Sequence, residues 1–156
     1  MVTYTKTGDA GTVGHPSIKR VPYLVENTID ISQVNEDAGT ADGDFLRALS
    51  IPAESFVLKA GIEVVTALSG SATMDLGDGA DPDIWVDGDT NATGYSGVHQ
   101  DLVAMGKVYE SADTLDVKVL AAASSAGKIR VWAIMCDISG VDETDRNTTA
   151  QHDTEV

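Results

Sequence analysis

From residue 55 to residue 76 apolar side chains recur at every second position, and no 3.6-residue period competes with that alternation. Phe56, Leu58, Ala60, Ile62, Val64 and Leu68 share one parity while Lys59, Gly61 and Glu63 take the other, the signature of a half-buried strand. After the turn signal Leu68-Ser69-Gly70-Ser71, the side chains of Ala72, Met74 and Leu76 alternate with Ser71, Thr73 and Asp75. The two runs are therefore expected to pair as an antiparallel hairpin.

The same period marks other segments. Tyr23, Val25, Ile29 and Ile31 alternate with Glu26, Thr28 and Asp30, and Phe45 to Ile51 forms a second run. Pro52-Ala53-Glu54-Ser55 closes that run, because proline presets a turn dihedral and cannot donate to a central ladder. Ile84-Trp85-Val86 reads as a short strand between aspartates, with further strands at 102–109 and 115–121. Ser124-Ser125-Ala126-Gly127 reads as a hairpin turn into 129–138, which is apolar on both parities, as a central strand covered on two sides would be. Residues 32–44 and 88–101 carry the Gly, Asn and Asp content of loops.

About eight short strands and no helical period predict an all-β fold: a jelly-roll-like antiparallel β-sandwich. A lipocalin-like barrel is the competing architecture, but two Trp, four Tyr and two Phe supply no run of large cavity-lining aromatics. No solenoid or propeller repeat is present. The expected organisation is an extended N-terminal arm over 1–20, a sandwich domain over 21–140 and a flexible acidic tail over 141–156.

At 156 residues a single domain buries about 70% of its unfolded surface and needs neither disulfide nor metal. Ten basic against 25 acidic side chains give a net charge of -15, which argues against phosphate-backbone binding and against an anionic membrane. Residues 1–20 run against that trend, with Lys6, Lys19 and Arg20 facing one acid, Asp9. The N-terminal MVTYTKTGDAG has no apolar h-region, and the longest apolar run is Val131 to Cys136. Neither a signal peptide nor a membrane span is expected. Cys136, the one cysteine, reads as an inert core thiol.

Six aspartates, Asp75, Asp78, Asp81, Asp83, Asp87 and Asp89, follow the proposed hairpin with no Lys or Arg among them. Asp87, Asp89 and Asn91 imitate the start of a calcium loop, but Ala92 stands where an EF-hand wants Gly and Val98 where it wants Glu. The competing reading is solvated turn acids, since Asp bonds its own backbone. His15, His99 and His152 are scattered and fit no H-E-x-x-H spacing. No G-x-S-x-G elbow or phosphate cradle is present, and an enzyme is not expected.

Four stretches carry a family resemblance: Ile51-Pro52-Ala53, Val57 to Val64, Ala72 to Gly79, and Arg130 to Ala133. Together they resemble the strands and turns of small head decoration or cement proteins, minor capsid proteins of tailed bacteriophages. The resemblance spans residues 45–138. It implies a jelly-roll sandwich, commonly a homotrimer, on the outer surface of the virion. Its partner would be the major capsid protein, whose lattice it stabilises. No cofactor is expected, and the basic arm, with Lys6, His15, Lys19 and Arg20, would dock on the capsid. The alternative reading is a fibre or host-adhesion module that binds a receptor or glycan through calcium.

Overall fold

A computed structural model describes residues 3–8, 21–35, 38–90, 94–96 and 106–139. Its strands are β1 (Thr3–Gly8), β2 (Tyr23–Asp30), β3 (Phe45–Ile51), β4 (Ser55–Thr66) and β5 (Thr73–Gly77). They continue as β6 (Val86–Thr90), β7 (Gly94–Ser96), β8 (Lys107–Tyr109), β9 (Asp113–Leu120) and β10 (Lys128–Asp137), with one 3-10 turn at Ile31–Gln33. One sheet runs β1-β3-β9-β5-β6. The other runs β2-β10-β4, with β7 and β8 sharing the far edge of β4. Apart from the parallel β1–β3 pair, every pairing is antiparallel.

Successive strands from β1 to β5 alternate between the two sheets, so chain neighbours face each other across the core. With β1 set aside and β7 and β8 counted as one edge, this is the eight-strand order of a jelly roll. The alternation corrects two sequence expectations. β4 and β5 form no hairpin, and neither do β9 and β10, because each pair is split between sheets. Their connections are crossovers bound to one another: Ser69 N–H donates to the Ala126 carbonyl at 3.0 Å, and Ser125 N–H donates to Ser69 Oγ at 2.8 Å. Gly127 makes the close approach possible at φ +119, since a side chain there would strike the backbone of Ala67 and Leu68. Turn residues fix where a strand ends. They do not fix which sheet receives the next one.

The core lies between the sheets. Val25 and Ile29 of β2, Ala60, Ile62 and Val64 of β4, and Leu115, Val117 and Val119 of β9 are buried at alternate positions. Each fully buried Val, Leu or Ile contributes about 1.5–3 kcal/mol. β10 is a central strand, as expected, with Ile129, Val131, Ala133 and Met135 buried inward. Its other face is half-buried rather than covered.

Register shifts occur in several strand pairs, and those at Leu58 of β4 and Ala48 of β3 change which side chains face the core. On β4, Lys59 pairs with Ile134 and Val57 with Met135, which leaves Leu58 as the extra residue. The inward parity therefore switches, so Val57 is buried while Phe56 and Leu58 are half-exposed on the outside. On β3 the extra residue is Ala48, between Arg47 paired with Asp116 and Leu49 paired with Leu115. A bulge takes a carbonyl out of the ladder, and here Asn27 Nδ2 donates to the Ala48 oxygen at 3.0 Å. That bond explains an amide at a core-facing position of β2.

Other boundaries shift too. The strand expected at 84–86 is β6 at Val86–Thr90, with Trp85 fully buried before it. The expected loop 88–101 contains β7, and of the expected strand 102–109 the described part is β8, Lys107–Tyr109. Thr3–Gly8, expected as part of an arm without elements, forms β1 beside β3. The tail 141–156 lies outside the described residues.

Candidate functional site

The aspartate run is a dense polar constellation among the described residues, and two of its six acids are structural. Asp75 and Asp78 are buried, not solvated. Asp75 lies on β5 and its Oδ1 accepts from Gly88 N–H at 2.9 Å, which ties β5 to β6. Asp78 follows β5, and its Oδ1 accepts from the amides of Ala80 (3.0 Å) and Asp81 (3.1 Å), an Asx turn. Its Oδ2 accepts from Tyr109 Oη at 2.7 Å and from the Lys107 ammonium, both on β8 of the opposite sheet. Trp85 Nε1 in turn donates to Tyr109 Oη at 3.3 Å. One carboxylate thus organises its own turn and joins the two sheets.

Burial pushes the Asp78 carboxyl up. The Lys107 ammonium, the Tyr109 hydroxyl and the two turn amides outweigh it and hold the group below the usual carboxylate range. The same burial, together with the bond to Asp78, drives the Tyr109 hydroxyl far up, so it stays a donor. An ionised aspartate saturated by four donors is a poor base or nucleophile.

Asp116 is the opposite case. It lies on β9 opposite Arg47 and Gly77, nine-tenths buried, and its Oδ1 has no hydrogen-bond partner. Burial pushes its carboxyl up; the Thr114 hydroxyl and the Arg47 charge oppose this, and Asp113 and Asp78 reinforce it. An open cleft of about 440 Å³ lies nearby, lined by Arg47, Ser50, Ile51, Pro52 and 112–114. It holds one acid, Asp113, and no nucleophile–base pair.

Of the proposed calcium ligands, Asp87 is exposed on β6, Asp89 lies on the same strand with its backbone paired to Met74 of β5, and Asn91 lies outside the described residues. Among the described residues no three His, Cys, Asp or Glu side chains converge as a metal site. Of the proposed docking arm, Lys6 is on β1, while His15, Lys19 and Arg20 lie outside the described residues. Cys136 is buried, and burial pushes its thiol up.

Sequence reasoning missed the outer face of the β2-β10-β4 sheet. The register lays out four rows: Thr28-Arg130-Glu63, Glu26-Trp132-Gly61, Leu24-Ile134-Lys59, and Cys136-Phe56-Val108. In the first row Arg130 bridges Glu63 at 2.6 Å and reaches Glu26 at 4.0 Å. The other rows are largely apolar. Four large apolar side chains are exposed among the described residues, Val21, Leu24, Val65 and Val108, and all lie on or just before strands of this sheet. The visible signal was the apolar outer parity of β10, Trp132 and Ile134.

No family model matches the sequence, and no curated protein matches it. Solved structures do share the sandwich. A chain of the capsid of cyanophage Pam1 superposes with a TM-score of 0.59 at 15% identity, over 76% of this chain and 86% of that one. A chain of the acid-stable capsid of Helicobacter pylori bacteriophage KHP30 gives 0.56 at 12% identity, over 76% and 90%. One from the capsid of Ralstonia phage GP4 gives 0.54 at 17%, over 84% and 97%. The fold is therefore one that phage capsid chains use.

Proposed function

We propose that this chain is a structural virion protein, a decoration or cement subunit on the outside of a phage head that stabilises the lattice of the major capsid protein. The observation that carries this reading is the whole-chain extent of the likeness. Each capsid chain matches over 86–97% of its own length and over 76–84% of this one, so the shared unit is the sandwich itself. The polar constellation at Asp78 agrees with the reading, since its donors brace two sheets against each other and leave no group free for bond-making. The subunit acts as a homotrimer, and the basic residues Lys6, His15, Lys19 and Arg20 contact the shell.

Removing residues 1–20 would strip β1 from β3 and confuse docking with folding. Charge reversal avoids this. Heads assembled without the chain are mixed with the wild-type protein or with a Lys6→Glu, Lys19→Glu, Arg20→Glu triple variant and sedimented. The wild type is expected to pellet with heads, and the triple variant to bind about tenfold more weakly. Equal binding would remove the arm from the docking surface. A wild type left in the supernatant would remove the cement role, and pelleting with host cells instead would favour an adhesion module.

A further inference from the structure

The two outer faces of the sandwich differ in polarity. On the β3-β9-β5 sheet the outward positions include Arg47, Asp116, Lys118 and Asp75, and none carries an exposed large apolar side chain. On the β2-β10-β4 sheet Leu24 is 59% and Val108 51% exposed. Ile134 joins Leu24 in register, and Phe56 joins Val108. Trp132 extends the patch by lying over Gly61, where a side chain would come within 2.7 Å of the indole.

Charge on this face is balanced and paired, with one exception. Arg130 is engaged by Glu63 and Glu26, and Lys128 by Asp30 at 3.0 Å. Lys59 sits opposite Ile134 in the apolar part, and no ion pair reaches it among the described residues. On a chain of net charge -15, the acids Glu26, Glu63 and Asp30 of this face are each paired with a cation, so an approaching protein meets little unbalanced negative charge there. An apolar patch around one unpaired ammonium calls for an apolar partner surface that supplies a carboxylate. The chain's own last residues, 140–156, are polar and carry five acids and one arginine, so they offer little apolar surface to cover the patch.

We propose that the outer face of β2-β10-β4, with Leu24, Ile134, Phe56 and Val108 around Lys59, is the surface that docks on a shell protein through an apolar patch containing a carboxylate. This rests on the cement reading, and it assigns the main contact to the sheet, with the arm as a secondary one.

The test compares the wild type with Leu24→Ser/Val108→Ser, Lys59→Glu and, as a control on the opposite sheet, Arg47→Glu. Circular dichroism and melting show that each is folded, and titration onto heads assembled without the chain reads binding. The serine pair and Lys59→Glu are each expected to weaken binding by about tenfold or more, with Arg47→Glu unchanged. Should the wild type bind while the sheet variants bind equally well, this surface is wrong and the cement reading stands. Wild type that fails to bind removes both. If the variants instead lower the oligomeric state in light scattering and still bind heads, a second copy covers the face and the proposal is overturned.

Discussion

Tyr109 Oη and Asp78 Oδ2 meet at 2.7 Å across 31 residues of sequence and from opposite sheets of the sandwich. The bond is buried, and the phenol also receives the Trp85 indole N–H. Removing the hydroxyl takes one donor from a buried carboxylate that keeps three others. Tyr109→Phe is therefore expected to cost about 1.5–3 kcal/mol, the range for a hydrogen bond to a charged group. Asp78→Ala strands the Lys107 ammonium and undoes the turn as well, and is expected to cost about 3–5 kcal/mol. Urea unfolding followed by tryptophan fluorescence reads both, and equal costs would contradict the four-donor account of Asp78.

Acid separates two of the buried aspartates, Asp78 and Asp116. Asp78 is held below its ordinary range, so its stabilisation is complete above the unfolded value of about 4 and is lost as pH falls through its folded value. Asp116 is raised, so it costs stability at neutral pH, and that cost disappears as pH falls from its folded value through the unfolded one. Asp116→Asn is accordingly expected to melt above the wild type at pH 7, with the difference closing below about pH 4. A constant difference across that range would contradict a raised carboxyl.

Gly61 supports the indole of Trp132. A methyl placed there would come within 2.7 Å of the ring, and overpacking of this kind costs about 1–3 kcal/mol. Because Trp132 is half-buried on the outer face, the ring can swing outward. Gly61→Ala is expected to lower stability within that range and to red-shift the tryptophan emission as the indole meets water. An unshifted spectrum would place the ring elsewhere.

Much of this architecture was legible in the order of residues, and the failures have local causes. The alternation at Val25 and Ile29, and at Leu115, Val117 and Val119, reports burial directly. The parity of Phe56 and Leu58 misled because one extra residue, Leu58, reverses the faces of β4, and nothing in its neighbours marks a bulge. Ser69-Gly70 and Ser124-Ser125 announced turns correctly, but a turn that crosses to the other sheet uses the same residues as one that returns. Asp78 looked like its five neighbours in the run. Its partners, Lys107 and Tyr109, lie about 30 residues away and become visible only when the sheets are stacked. The apolar outer parity of β10 predicts a covered face, but Arg130, Trp132 and Ile134 are half-exposed there and only Cys136 is buried.

The proposed cement role would have this sandwich hold a shell together from outside. Cryo-electron microscopy of phage heads with and without the chain tests it most directly. Density of this two-sheet shape is expected at repeated sites on the outer surface, present when the chain is added and missing when it is withheld. Heads identical in both preparations, or the density found only on fibres, would contradict it.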